Sequence, residues 1–94
     1  MEREIKVKDT MLKYKAIGSL AVPPNGKLIY SLLTDNADEN GELQISIKEI
    51  ARSLGISRRA ASINLHYLEK SGFIRTIPQY HSDGGRAANK YIVR

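Results

Sequence analysis

The stretch SIKEIARSLGISRRAASINLHYLEKSGFI, residues 46–74, contains two segments of apolar periodicity separated by Gly-Ile-Ser at 55–57. Ser46 and Glu49 form an S-x-x-E capping box, in which each side chain can bond to an unpaired backbone N–H of a first helical turn. The apolar residues that follow recur at the spacing of a buried helical stripe. They are Ile47, Ile50, Ala51 and Leu54. The pattern predicts a helix of about two turns.

A second helix is predicted directly after the first. Gly55 can adopt the left-handed conformation that ends a helix, and Ile56 can fill the corner. Ser57 then serves as an N-cap for a helix that runs to about Ser71, with Gly72 as its terminator. Two capped helices joined by a three-residue turn are a helix-turn-helix.

The residues before this motif divide into an arm, a lead-in and a first core helix. We expect residues 1–13 to be a charged arm and residues 14–24 an extended lead-in, because Pro23-Pro24 cannot lie inside a helix. The apolar spacing predicts a helix from an N-cap at Asn25 to about Asn36. A short strand is expected around Leu43 and Ile45.

The residues after the motif predict a β-hairpin. Two β-rich runs, 73–77 and 89–93, flank a polar loop that contains Asp83-Gly84-Gly85. We expect the tip of this hairpin to be long and flexible. Neither a repeat nor a change of composition marks a domain boundary, so residues 1–94 form one predicted domain, with core and hairpin in 25–93.

Composition limits the functions that the chain can perform. Fifteen Lys and Arg against ten Asp and Glu give a net charge of +5, which favours a polyanionic partner. Cysteine is absent, which excludes disulfides, zinc-thiolate sites and thiol nucleophiles. The charged first ten residues and the absence of an apolar run of about 18 residues predict a soluble, cytoplasmic protein.

The predicted helix 57–71 has two distinct faces. Ala61, Leu65 and Leu68 point one way, toward the core, and a polar set with one isoleucine points the other way. An arginine donates two hydrogen bonds to guanine in the major groove of DNA, and an apolar side chain contacts the thymine methyl group. The alternative is a solvated face on which Ile63 packs under the hairpin or a partner. The candidate major-groove contacts are Arg58, Arg59, Ser62, Ile63 and His66.

The hairpin carries a second set of candidate DNA contacts. Its cationic or potentially cationic groups suit phosphate or minor-groove contacts beside the helix, and only Asp83 within the hairpin opposes them. The alternative is that lysines and arginines here protect a sheet edge from aggregation. The set comprises Arg75, His81, Arg86 and Lys90, followed by Arg94 at the end of the chain.

Metal-dependent and enzymatic functions find little support. Residues 36–47 resemble part of a calcium loop, but Ile47 stands where a bidentate Glu is required, and a turn rich in Asp and Asn explains the same residues. His66 and His81 have no carboxylate or cysteine at metal-ligand spacing. We expect no catalytic residue, no metal ion and no cofactor, because phosphate-loop, dinucleotide and nucleophile motifs are all absent.

Residues 46–93 resemble a bacterial winged helix-turn-helix domain. The residues that carry the resemblance are the stretch quoted first and GGRAANKYIV at 84–93. The segment YKAIGSLAVPPNGKLIYSLL, 14–33, also resembles the lead-in of small regulators and of plasmid or phage replication proteins. Gly18 stands where that lead-in often has proline, and Asn64 stands where the helix commonly has a small apolar residue. We expect Asn64 to lie at the core margin and to need a hydrogen-bond partner.

The resemblance implies an α+β fold with a three-helix core and a C-terminal β-hairpin wing. It also implies that the helix from Ser57 enters the major groove of double-stranded DNA while the wing lies on the backbone or minor groove. By position, it places Ser57, Arg58, Arg59, Ser62 and His66 in the base-contacting set.

The sequence therefore predicts a sequence-specific DNA-binding protein, most simply a transcriptional regulator that acts as a possible homodimer. One alternative is a replication-initiation or partition module of a mobile element. Another is a protein-interaction module that binds no DNA and uses Ile63 and Tyr67 as anchors.

Overall fold

The computed structural model describes residues 11–94, and the N-terminal part of the expected arm lies outside this range. Four helices and three strands follow one another within residues 11–94. They are α1 (residues 11–18), α2 (Pro24–Asn36), β1 (Glu42–Gln44), α3 (Ile47–Leu54), α4 (Arg58–Lys70), β2 (Ile74–Tyr80) and β3 (Arg86–Val93). The strands form one antiparallel sheet in the order β1-β3-β2. The predicted winged helix-turn-helix architecture is confirmed.

Helices α3 and α4 begin and end where the sequence predicts. The hydroxyl of Ser46 accepts a hydrogen bond from Glu49 N at 3.0 Å, and the hydroxyl of Ser57 accepts one from Ala60 N at 3.0 Å. Gly55 ends α3 with a φ of 66°, a conformation that disfavours residues with a side chain. The three-residue turn between the helices therefore depends on local signals at both of its ends.

The core lies between helices α2, α3 and α4 and the sheet. Fully buried side chains come from all four parts: Ile29 and Leu33 from α2, Ile50 from α3, Leu68 from α4 and Tyr91 from β3. Burial of aliphatic side chains at roughly 25 cal/mol per Å² of apolar surface is the main stabilising contribution.

Asn64 is a buried polar residue of this core, 9 % exposed. Its amide donates to Ala60 O at 2.8 Å, and its Oδ1 lies 3.4 Å from the position that a Cβ on Gly26 would occupy. The expectation that Asn64 lies at the core margin with a hydrogen-bond partner is confirmed. A methyl group at position 26 would therefore be in ordinary van der Waals contact with Asn64.

Two expectations about the N-terminal part are wrong. The lead-in is helical over 11–18 rather than extended, because this run is rich in good helix formers and the prolines lie five residues beyond its end. Helix α2 has its N-cap at Pro23, not Asn25, and Pro24 occupies its first position, where the fixed φ of proline suits a helix and no N–H is needed. Its end at Asn36 is as predicted.

The expectation of a long hairpin tip is also wrong. The strands continue to a cross-strand pair between Tyr80 and Arg86, which leaves only residues 81–85 in the tip. His81 N donates to Gly85 O at 2.6 Å, and Asp83 Oδ1 accepts from Gly85 N at 2.8 Å. Pairing beyond Pro78 is possible because the register shifts there: Ile77 pairs with Lys90 and Gln79 with Ala87. We refer to the β2-β3 hairpin as the wing.

The turn interpretation of residues 36–47 is confirmed. Asp38 Oδ1 accepts hydrogen bonds from Asn40 N and Glu42 N, both at 2.9 Å, and Gly41 has a φ of 75°. The carboxylate of Asp38 is therefore used by the local backbone, as is typical of aspartate in turns.

Candidate nucleic-acid interface

The candidate contacts on α4 share one exposed surface, opposite the buried face of the helix. Ala61, Leu65 and Leu68 are at most 5 % exposed, whereas Ile63 is 56 % exposed. Ile63 therefore does not pack under the wing. The solvated-face alternative then holds only if a partner covers Ile63. We call the following residues the outer face of α4: Arg59, Ser62, Ile63 and His66, all of them exposed.

Two arginines occupy the first turn of α4, where no acidic residue is present. The N-terminus of a helix carries a partial positive charge and favours anions, so Arg58 and Arg59 lie at the end of the helix that disfavours them. Both are exposed, as is the N-cap Ser57. The combination concentrates positive charge and backbone N–H groups at one corner of the molecule, which suits an anionic partner such as a phosphate group.

A cleft of about 150 Å³ separates α4 from the wing. On the α4 side, Ser62 and His66 belong to the outer face, and Glu69 lies one turn further on. Glu69 Oε2 accepts a hydrogen bond from Thr76 N of β2 at 3.0 Å. The remaining lining residues are Ile47, Leu65, Thr76, Asn89 and Tyr91. The cleft therefore joins the α4 candidates to the wing, and Glu69 holds the two elements together.

Tyr91 forms the floor of the cleft and is 1 % exposed. Burial raises the pKa of its hydroxyl above the ordinary 10.0, while a hydrogen bond with Asn89 acts in the opposite direction. Tyr91 is therefore a neutral hydrogen-bonding group under ordinary conditions and takes part in packing.

Arg86 lies at the start of β3, on the wing. Its guanidinium carbon is 5.5 Å from the ring centre of Tyr80, and its Nη2 donates to Asn89 Oδ1 at 2.7 Å. Arg86 is exposed, so its remaining N–H groups face solvent. His81 and Asp83 lie in the tip beside it and are exposed as well.

Arg75 and Lys90 lie apart from this group. Neighbouring residues of a strand point to opposite faces of the sheet, and the adjacent Thr76 and Tyr91 line the cleft. Arg75 and Lys90 therefore lie on the sheet face that points away from α4. Lys90 Nζ also contacts Glu42 Oε1 at 3.2 Å, so a carboxylate of β1, outside the hairpin, opposes this cation in addition to Asp83 within it.

The comparisons with known proteins agree with this architecture. A family model described as a helix-turn-helix domain matches residues 23–74, more than half of the chain. The chain belongs to this helix-turn-helix domain family. The resemblance to bacterial DNA-binding winged helices inferred from the sequence is thereby confirmed.

Individual relatives extend the comparison. The chain is 42 % identical over 50 residues to the probable C4-dicarboxylate response regulator DctR of Bacillus subtilis, in an alignment that covers 53 % of this chain and 22 % of that protein. A possible transcriptional regulator from Methanosarcina mazei Go1 has a similar structure, with a TM-score of 0.62 and 16 % identity over 95 % of this chain and 66 % of the other. The YusO protein of Bacillus subtilis gives a TM-score of 0.55 at 14 % identity, over 99 % of this chain and 63 % of its own.

Membrane-spanning helices and metal sites are absent from residues 11–94. Within residues 11–94, no helix has the length and apolarity needed to cross a bilayer. The same part of the chain holds no group of three or more His, Asp or Glu side chains arranged to hold a metal ion.

Three contacting residues were missed by the sequence analysis: Glu69, Tyr80 and Asn89. Tyr80 lies directly opposite Arg86 in the hairpin, so a correct register would have revealed that contact. The contacts of Glu69 and Asn89 depend on the packing of α4 against the wing and on the register shift, for which the sequence contains no local signal.

Proposed function

We propose that this protein binds double-stranded DNA and regulates transcription, with α4 in the major groove and the wing beside it. The observation that carries the proposal is the outer face of α4 together with Arg58: two arginines in a first turn that has no acidic residue, and a solvent-exposed isoleucine, next to a cleft shared with the wing. Membership of the helix-turn-helix family and the relative described as a response regulator support it. No enzymatic activity is part of this proposal.

The two contact sets have different roles in this proposal. Arg58 and Arg59 suit guanine O6 and N7, and Ile63 suits a thymine methyl group. Ser62 and His66 can bond to base edges or phosphates. On the wing, His81 and Arg86 supply contacts to the backbone or minor groove, which position the protein without specifying the sequence through the major groove. Arg75 and Lys90 would contribute only where the DNA reaches the other sheet face.

We further propose that two copies bind a two-fold site. One helix-turn-helix module contacts only a few base pairs, so two modules on symmetric half-sites are needed for useful specificity. The helix α1 offers three exposed apolar side chains for such an association: Met11 (52 % exposed), Leu12 (64 %) and Tyr14 (52 %).

The test is selection from a random duplex DNA library at moderate salt, followed by a salt titration on the selected sequence. A palindromic motif is the expected result, with affinity that falls steeply as salt rises. A directly repeated motif would favour the replication-module alternative. Absence of DNA binding would overturn the proposal and favour a protein-interaction surface built on Ile63 and Tyr67.

Variants of this experiment separate base contacts from phosphate contacts. Arg59→Ala and Ser62→Ala should weaken binding to the selected site by about 1–3 kcal/mol more than binding to unrelated DNA. Arg86→Ala should weaken both alike. Arg52→Ala is the matched control, since it removes a cation of α3 that lies outside the proposed contacts. Equal losses for all three test variants would contradict the assignment of α4 to base contacts.

A further inference from the structure

Two contacts hold the guanidinium of Arg86 in place before any ligand arrives. The ring of Tyr80 lies against it at 5.5 Å, and Asn89 Oδ1 accepts from Nη2 at 2.7 Å. The backbone of Arg86 is paired in the sheet with Tyr80. Arginine side chains on a surface normally sample many rotamers, so this double restraint is unusual for an exposed residue.

The register shift in the wing explains how Arg86 reaches Asn89. Residues three apart in a regular strand point to opposite faces of the sheet. Between the pairs Ile77–Lys90 and Gln79–Ala87, however, β3 contains one more residue than β2, which is a β-bulge. The bulge brings the side chains of Arg86 and Asn89 to one face. Pro78, which has no N–H to pair, lies opposite the extra residue.

The bulge is itself fixed to the rest of the sheet. Asn89 O accepts a hydrogen bond from Ile45 N at 3.1 Å, and Ala88 O accepts one from Gln44 Nε2 at 2.9 Å. The side chain of Asn89 and the buried Tyr91 both line the cleft between α4 and the wing. The backbone of Asn89 is therefore anchored in the sheet, and its side chain is bonded to the exposed arginine.

We propose that Tyr80 and Asn89 are positioning residues that hold Arg86 ready to donate hydrogen bonds to oxygen acceptors of DNA. This inference rests on the proposed function. The acceptors are either phosphate oxygens or the O2 and N3 atoms of the minor groove, and both accept the same donor geometry. Because Asn89 uses one Nη2 proton and Tyr80 covers one face, the remaining N–H groups are left for the ligand.

Pre-ordering increases affinity because the ordering entropy of the arginine is lost during folding and not during binding. Tyr80→Leu and Asn89→Ala should each weaken binding to the selected DNA by about three- to tenfold. Tyr80→Phe keeps the ring and should bind within about twofold of the wild type. Arg86→Ala should weaken binding by about fivefold to a hundredfold. Gln79→Ala, a neighbouring change on the wing, is the matched control.

The deciding measurement is a double-mutant cycle in the full chain, with thermal unfolding recorded for every variant. In the Arg86→Ala background, Asn89→Ala and Tyr80→Leu should have no further effect on affinity. A loss that persists unchanged without Arg86 would overturn the inference and show that these residues only support the wing. Binding of Asn89→Ala and Tyr80→Leu with wild-type affinity would overturn the inference as well. If Asn89→Ala unfolds at a lower temperature than the wild type, the comparison of Tyr80→Leu with Tyr80→Phe decides the question alone.

The same titrations identify the acceptor on the DNA. They also distinguish a failure of this inference from a failure of the proposed function. Loss of a phosphate contact lowers the salt slope by about 0.9 in the Arg86→Ala variant. Loss of a minor-groove contact leaves the slope unchanged and removes a preference for A·T over G·C beside the core site. A wild-type protein that binds no duplex DNA would overturn the proposed function itself, and this result is visible before any variant is compared.

Discussion

Helices α3 and α4 begin in the same way but differ in how their charges are placed. Both have a serine N-cap with a 3.0 Å hydrogen bond to the third helical residue. Helix α3 has Glu49 in its first turn and Arg52 in its last, which suits the helix dipole. Helix α4 has two arginines in its first turn and an exposed isoleucine in its middle.

Under the proposed function, this difference separates a helix that serves the fold alone from one that also contacts DNA. In α3, Lys48 in the first turn runs against the helix dipole but Glu49 stands beside it, whereas α4 has two arginines and no acidic residue in its first turn, an exposed isoleucine and a buried inner face. Such local conflicts are expected where selection has acted on binding and not on stability. Three predictions test the contrast, beginning with the largest effect.

The largest expected effect separates the inner and outer faces of α4. Leu68→Ala should lower the free energy of unfolding by about 2–5 kcal/mol, because the side chain is fully buried and leaves a cavity. Ile63→Ala should change it by at most about 0.5 kcal/mol, since Ile63 is 56 % exposed. Urea denaturation measures both. A large loss for Ile63→Ala would show that this residue is part of the core packing, and the functional interpretation of its exposure would fail.

The next effect tests what the two helices share. Ser46→Ala and Ser57→Ala should each lower the free energy of unfolding by about 1 kcal/mol, because each removes one side-chain cap. Ser46→Thr and Ser57→Thr, which keep the hydroxyl, are the controls, and the same denaturation curves provide the readout. Unequal losses well outside experimental error would show that the helices do not depend on their caps to the same extent.

The smallest effect tests the charges that distinguish the helices. Arg58→Glu should raise the free energy of unfolding by about 0.3–1 kcal/mol, because it places a negative charge at the helix N-terminus, and it should strongly weaken DNA binding. Glu49→Lys in α3 should lower the free energy of unfolding by a similar amount. Both effects should shrink in high salt. A destabilised Arg58→Glu variant would contradict the view that Arg58 is retained for binding.

The sequence was most informative where structure depends on neighbouring residues. The turn between α3 and α4 follows from Gly55 and Ser57, whose conformational and capping preferences act over one or two residues. The buried face of α4 follows from the helical period alone. The prediction of an extended lead-in was wrong because it assumed that the prolines at 23 and 24 prevent a helix as far back as residue 18. Proline restricts only its immediate neighbours.

Contacts between distant residues could not be predicted in this way. Lys90 meets Glu42, which lies almost fifty positions earlier, only because β1 pairs with β3. Glu69 bonds with Thr76 because the wing folds back against α4. The face on which Arg86 lies depends on a bulge whose position no local preference specified.

By itself, then, the sequence determined the helix-turn-helix, the two faces of α4 and the presence of a hairpin, because periodicity, caps and turn residues act within a few positions. Only the tertiary structure decided which cations share a surface. It brings Ser62 and His66 to the cleft, holds Arg86 between Tyr80 and Asn89, and turns Arg75 and Lys90 to the other side of the sheet. The physical reason is that strand register and helix-sheet packing join residues far apart in the chain, and a shift of one residue in a strand reverses every side chain beyond it.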